Sequence, residues 1–416
     1  MIEPMKPFLI LIAALPALAL AAPPVDLSLR EAEKLWKTHS RELRQADVAV
    51  AAAGADIKVA DQIPNPALSY NAASISRNQG VGGGHLSDKR MDSILRMDQL
   101  IERGGKRALR VQSAEARREA AAFDRLDVAR TQLADLRRAY YDLLLAQDRQ
   151  QLTSEASVLY ARSLSAAEKR LQAGDLAPVD VSRLAVDKAR ADNDARQAQS
   201  DLEQSREVLA YLIGRELEAA QLRAQDTWPS PENSLPGEGG LAGRPDLQAA
   251  QARVGAAEAE RDLAKALRTR DVSVGFQVEH YPGNTPVNSM GFGISIPLYL
   301  WHNHEGEIER AEHGLDGARL QLEQQKAMAQ GQLAQARSAL LAARDRLQRL
   351  EGGLLADAKR VADAAELAYG KGAMGLMDLL DARRTLRQVQ IEAATARADH
   401  AKALSDWRLQ AGLEKP

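Results

Sequence analysis

The second half of this chain repeats the first, and nothing else constrains its fold as much. Gly174-Asp175-Leu176-Ala177-Pro178-Val179-Asp180-Val181 returns in outline as Gly372-Ala373-Met374-Gly375-Leu376-Met377-Asp378-Leu379, and the same offset continues without a gap to Gly214 and Gly412. Earlier in each half, Glu42-Leu43-Arg44-Gln45-Ala46 aligns with Asp246-Leu247-Gln248-Ala249-Ala250, and Val50, Ala52 and Leu68 align with Val254, Ala256 and Val272. A period of about 200 residues is far too long for a solenoid, so each half is a whole structural unit packed on its twin. The expected divisions are a first repeat over 22–227, a Pro- and Gly-rich linker over 228–243 and a second repeat over 244–416.

Within each half the apolar pattern changes period. Leu333, Ala336, Leu340, Ala343, Leu347, Leu350 and Leu354 form a heptad seam, which resumes after Gly372 as Leu386, Val389, Ala393, Ala396, His400, Ala403 and Trp407. The first half has its counterpart in Ala191, Ala195, Ala198, Leu202, Ser205, Leu209 and Leu212. Each half therefore holds a long antiparallel helical hairpin. From Arg107 to Gly174 no Pro or Gly intervenes, so that helix spans roughly 100 Å. Its twin, about Ile308 to Tyr369, contains Gly314, Gly317, Gly331 and Gly352-Gly353, where bends are expected. Such helices exceed a globular domain and suit a tube or stalk. An aromatic content of only 4% agrees with narrow, Ala-rich seams.

Ahead of each hairpin lie two segments with a period of two. Val272 to Glu279 and Met290 to Ile296 alternate apolar with small or polar residues around the loop Tyr281-Pro282-Gly283-Asn284-Thr285-Pro286. Leu68 to Ser76 and Met91 to Ile101 take the same places in the first half, around Gln79 to Gly84. Strands of about ten residues can cross an outer membrane when tilted. Four cannot close alone, and open edges are not tolerated in lipid. Several chains must then share one barrel, with three giving twelve strands; a small soluble sheet capping a coiled coil is the other reading of the same pattern.

Residues 1–21 read as a secretory signal, with Lys6 as the basic region, Phe8 to Leu20 as the apolar run and Ala19-Leu20-Ala21 as the cleavage site. No other stretch approaches 18 apolar residues, which excludes a helical membrane protein but not a strand-based one. Cysteine is absent, so disulfides, thiolate metal sites and a lipid-anchor cysteine are not expected. With 55 basic and 57 acidic residues the chain lacks the electrostatic footprint of a nucleic-acid binder. No nucleophile elbow, phosphate loop or zinc-protease signature is present, so neither an enzyme nor a cofactor is expected.

Signal segment, tandem halves, and the order helix, strand, loop, strand, long hairpin in each half resemble the TolC-like outer-membrane efflux channels over the whole mature chain. Arg244-Pro245-Asp246-Leu247 followed by Ala249-Ala250 matches that family's helix start, and the two glycine turns match its periplasmic tips. Glu102-Arg103-Gly104-Gly105-Lys106-Arg107, and Ile296-Pro297-Leu298 leading to Asn303, Gly306, Glu307 and Ile308, resemble the strand-to-helix junctions of the heavy-metal, cobalt-zinc-cadmium (CzcC-like) group. The resemblance implies a mainly α fold with a small β part: a homotrimer with a twelve-stranded barrel in the outer membrane of a Gram-negative bacterium and a periplasmic tunnel of helices. It also implies two partners, a periplasmic adaptor and an inner-membrane pump of the resistance-nodulation-division (RND) type. Ala173 and Lys371 stand where the family often has an apolar tip residue. A channel for drugs or other small molecules, or a periplasmic coiled-coil adaptor or scaffold, are the alternatives; an adaptor carries one hairpin rather than two.

Conduction needs a shaped polar lumen and a gate. Asp180 and Arg183 in one hairpin, and Asp378, Asp381 and Arg383 in the other, are candidate gate or lumen residues, since rotational symmetry would multiply each into a ring. The competing reading is that these acids cap the returning helices and complement their dipoles. Gly174, Asp175, Leu176, Gly372, Ala373 and Met374 are the candidate adaptor-contacting tips. His302, His304 and Glu305, followed by Glu307, Glu309 and His313, form the densest group of potential metal ligands, with solvated junction residues as the plainer reading.

Overall fold

The computed structural model describes residues 24–414 apart from 79, 86–87, 232–236, 238–239, 242 and 283–286. The expected signal segment, the centre of the linker and parts of both strand-connecting loops lie outside the described residues.

The first half runs β1 (Val25–Leu27), α1 (Leu29–His39), α2 (Arg41–Ala60), β2 (Ala67–Ala73), β3 (Asp92–Ile101), α3 (Lys106–Gln172), α4 (Pro178–Ile213) and β4 (Leu222–Ala224). The second runs α5 (Pro245–Ala266), β5 (Val272–Tyr281), β6 (Val287–Ser295), α6 (Glu305–Arg349), a π turn (Leu350–Leu354), α7 (Leu355–Gly370) and α8 (Leu376–Gln410). α3 is 67 residues of unbroken helix, about 100 Å long, as its freedom from Gly and Pro predicts.

The repeat is most legible at its glycines because the backbone requires them. Gly174, Gly214, Gly372 and Gly412 all have φ between 68° and 83° and all follow helix ends. At each, two reversed hydrogen bonds close the helix: Asp175 N–H to Arg170 O (2.9 Å) and Gly174 N–H to Leu171 O (3.0 Å) are mirrored by Ala373 to Ala368 (2.8 Å) and Gly372 to Tyr369 (3.0 Å). A side chain at these positions would be forced into the left-handed region.

The glycine-rich descending helix keeps its helical hydrogen bonding at most of its glycines. α6 continues as α-helix through Gly314, Gly317 and Gly331, whose neighbours Leu315, Leu322 and Ala329 are buried. Packing outweighs a helix cost of about 1 kcal/mol per glycine. Only Gly352-Gly353 changes the helix, within the π turn, which adds a residue to one turn. The seam slides accordingly: Leu347 and Leu350 are buried, Leu354 is 49% exposed, and Ala358, Ala362 and Ala365 take over.

The largest core lies midway along the hairpins, where Trp36 of α1, Leu136, Tyr140 and Leu143 of α3, and Leu209 and Ile213 of α4 are almost fully buried. The sequence reading missed a two-stranded parallel sheet there, in which β1 pairs with β4. The Tyr140 hydroxyl lies 3.0 Å from Leu27 O and 2.8 Å from Asp226 Oδ2, tying both strands to α3. Trp228, at the start of the linker, stacks on Tyr141 and donates from Nε1 to Asp148 Oδ2 at 3.0 Å.

Candidate functional site

β2, β3, β5 and β6 form one antiparallel sheet in that order, so the β3–β5 pairing joins the two halves. The period of two is expressed fully. Register places Leu68, Tyr70, Leu95, Met97, Val274, Phe276, Val278, Met290, Phe292 and Ile294 on one face. Met290, Phe292 and Ile294 are 75%, 84% and 72% exposed, a degree of apolar exposure expected of a surface that meets lipid.

The opposite face is polar and internally bonded. Arg96 Nε lies 2.7 Å from Asp98 Oδ2, and Arg96 Nη1 donates to Gln277 Oε1 at 3.0 Å. Glu279 accepts from Tyr281 (2.8 Å), Ser289 (3.0 Å) and Gln277. A Cβ at Gly275 would collide with Asp98 Oδ1 and Arg96 Nη2, and one at Gly291 would crowd Gln277, so glycine on this face makes room for the network. Within the strands, this face carries three carboxylates, Asp92, Asp98 and Glu279, against the guanidinium of Arg96. A lumen lined by it has a net negative wall, which favours cations.

Below the sheet, the first junction is stitched by ion pairs. Lys106, 5% exposed, donates from Nζ to Asp271 Oδ1 and to Thr269 O, both at 2.8 Å. Arg110 holds Glu102 with contacts of 2.5 and 2.8 Å. A Cβ at Gly104, φ 74°, would come within 2.8 Å of Thr269 Cβ, so the Gly-Gly pair serves both turn and close approach. At the second junction His302 and His304 come together with Glu307, and Glu305 lies outside that group.

At the far end, the tips pack through Tyr160, Leu184 and Leu380, with Leu176, Leu376 and Met377 against them. Gly174, Asp175, Gly372 and Ala373 are exposed, while Leu176 and Met374 are half-buried. Asp180 and Asp378 do not act as N-caps: the cap positions are Ala177 and Gly375, which make no side-chain cap hydrogen bond. Both acids sit in the first helical turn, where their charge complements the dipole. Asp381 and Arg183 are exposed, and Arg383 pairs with Glu366 of α7 at 3.0 Å.

The ion pairs that join the two hairpins use other residues. Arg384 of α8 contacts Asp187 of α4, and Arg387 lies 3.4 Å from Asp194. Asp187 is only 7% exposed, between the seam residues Leu184 and Ala191. A carboxylate in an apolar seam slot was the available signal for it.

Comparison with known proteins agrees with this architecture. The family model described as "Outer membrane efflux protein" matches residues 34–215 and 240–412, one stretch in each half. The chain is similar to the cobalt-zinc-cadmium resistance protein CzcC of Cupriavidus metallidurans, 28% identical over 311 residues covering 72% of each protein. It is also similar to the pyoverdine export outer membrane protein OpmQ of Pseudomonas aeruginosa, 26% identical over 400 residues covering 91% of this chain and 83% of that one. Among solved structures, the outer membrane channel CmeC of Campylobacter jejuni superposes with a TM-score of 0.80 at 16% identity, covering 92% of this chain and 85% of CmeC.

Proposed function

Since this chain belongs to the outer membrane efflux protein family, whose members are efflux channels and not enzymes, we propose that it works as a homotrimer conducting divalent transition-metal cations out of the cell. The observation that carries the channel reading is the four-stranded sheet with two open edges, β2 and β6. These edge strands run in opposite directions, so β6 of one copy can pair antiparallel with β2 of the next and the ring can close without an edge. Three copies give twelve strands, with the apolar face toward lipid and the acidic polar face toward the lumen. The long hairpins then extend the passage into the periplasm. Purified channel in mild detergent is expected to have the native mass of three mature chains; a monodisperse monomer would remove the shared barrel.

Metal cargo is supported by the likeness to CzcC and by the excess of carboxylates on the polar face. The likeness to OpmQ favours a second reading, export of a small organic molecule. Conduction is passive in both: energy comes from an RND-type pump, and a periplasmic adaptor meets the tips at Gly174–Leu176 and Gly372–Met374. Deleting the channel is expected to sensitise cells to zinc, cobalt, cadmium or nickel more than to lipophilic drugs. Unchanged metal tolerance with lost tolerance to organic compounds, in a strain without a redundant channel, would transfer the protein to the second reading.

A further inference from the structure

The connection from β6 to α6 carries side chains that conduction alone leaves without a task. After Ser295 the chain passes through Ile296 to Trp301 and turns at His304, whose φ of 58° is left-handed. That turn brings two imidazoles over the first turn of α6. The His302 and His304 rings stand edge to face with centroids 4.7 Å apart. His302 Nε2 lies 3.3 Å from Glu307 Oε1, and His304 Nδ1 lies 3.6 Å from the same oxygen. The three ligand atoms all fall within 4.8 Å of one another. His304 Nδ1 is buried and has no hydrogen-bond partner, while Tyr299 packs edge-on against its ring at 5.1 Å.

We infer that His302, His304 and Glu307 bind a divalent transition-metal ion of the zinc class at the junction between barrel and tunnel. Tetrahedral zinc with bonds of about 2.0–2.2 Å sets neighbouring ligand atoms about 3.3–3.6 Å apart. Both His–Glu separations already match, the two imidazole nitrogens lie within 4.8 Å of each other, and His302 is the exposed member that can move to complete the triangle. Two imidazoles and one carboxylate suit zinc, cobalt or nickel rather than the hard cations magnesium and calcium. A simple ion pair between a protonated imidazole and Glu307 would leave His304 Nδ1 at 3.6 Å, beyond hydrogen-bonding distance. Three protein ligands leave a fourth position open, and the His302 side chain is 68% exposed, so the bound ion exchanges with solvent rather than being sealed in. The inference rests on the cation reading for its link to cargo, but its coordination chemistry is testable without transport.

Untagged full-length channel, purified in detergent and stripped with chelator, is titrated with Zn²⁺ by calorimetry and with Co²⁺ by visible absorption. Wild type is expected to bind one Zn²⁺ per chain more than His302→Ala/His304→Ala, and to show a Co²⁺ band that the double variant lacks. Glu307→Gln should weaken binding at least tenfold while Glu305→Gln leaves it unchanged, a comparison that stands even if the double variant fails to assemble. Equal Zn²⁺ binding by wild type and double variant, or equal affinities for the two glutamine variants, overturns the site. A positive titration alongside unchanged metal tolerance of the deletion strain would keep the site and remove metal as the cargo.

Discussion

Replacing Arg384 and Arg387 together by alanine is expected to raise the single-channel conductance of the purified channel in planar bilayers several-fold, with assembly unchanged. The two arginines of α8 reach across to Asp187 and Asp194 of α4, so they tie the hairpin of one half to the hairpin of the other near the tips. These contacts differ in weight. Arg387 is half-buried, but Asp194 is exposed and the pair is 3.4 Å apart, so this contact is worth at most about 1 kcal/mol. Asp187 is buried in the seam, and leaving such a carboxylate without its partner costs about 3 kcal/mol or more when burial is complete. Arg384 is 40% exposed, which places the present case below that. Threefold repetition in the proposed trimer makes the sum large enough to hold a closed aperture. The seams that assemble the hairpins, including Leu202, Leu209, Val389 and Ala396, are untouched by the substitution. Thermal stability should therefore fall much less than conductance rises. Asp187→Arg alone should open the channel similarly, and Asp187→Arg with Arg384→Asp should restore the wild-type conductance. Unaltered conductance of the double alanine variant in an assembled channel would remove these pairs from the closed state.

The periodic parts of this molecule were legible because period is written residue by residue. Alternation in Val272 to Glu279 and Met290 to Ile296 located β5 and β6 within a few residues, and the same alternation sorts the apolar face of the sheet from its polar face. The glycine turns were legible because a left-handed backbone admits few other residues. What escaped depends on contacts remote in sequence or on local departures from regular geometry. The three-residue strands β1 and β4 exist only because each finds the other across a whole hairpin. The π turn slides the seam by one residue, so Leu354 is exposed although the heptad count places it inside. At the second junction the residue adjacent in sequence, Glu305, was the expected third ligand. The left-handed turn at His304 instead aims both rings at Glu307, a direction that spacing cannot supply.

Lys106→Met is expected to lower the stability of the folded channel by about 1–3 kcal/mol, below the range for a fully buried pair because Asp271, the charge left behind, is 22% exposed. Lys106 opens α3 directly beneath the four-stranded sheet and is 5% exposed; its partner Asp271 immediately precedes β5, so one contact joins the first half's helix to the second half's strand. Burial alone would push the Asp271 carboxyl up, but the Lys106 ammonium and the Arg103 N–H, which donates at 2.9 Å, hold it below the usual carboxylate range. A carboxyl lowered by folding contributes stability above its unfolded value, near pH 4, and that contribution is lost as pH falls through the lowered folded value. Wild type should therefore lose stability on acidification below about pH 4 more steeply than Lys106→Met, whose Asp271 has lost the charge partner that favours ionisation. Methionine keeps the length of the buried stem, so packing changes little and the missing ammonium dominates. Adding Asp271→Asn removes the stranded charge and should recover part of the loss. Thermal unfolding in detergent at a fixed scan rate, repeated from pH 7 to pH 3 on wild type and both variants, measures each of these differences. A single variant as stable as wild type with the same acid dependence would mean that the glycine turn and strand pairing hold the junction without the ion pair.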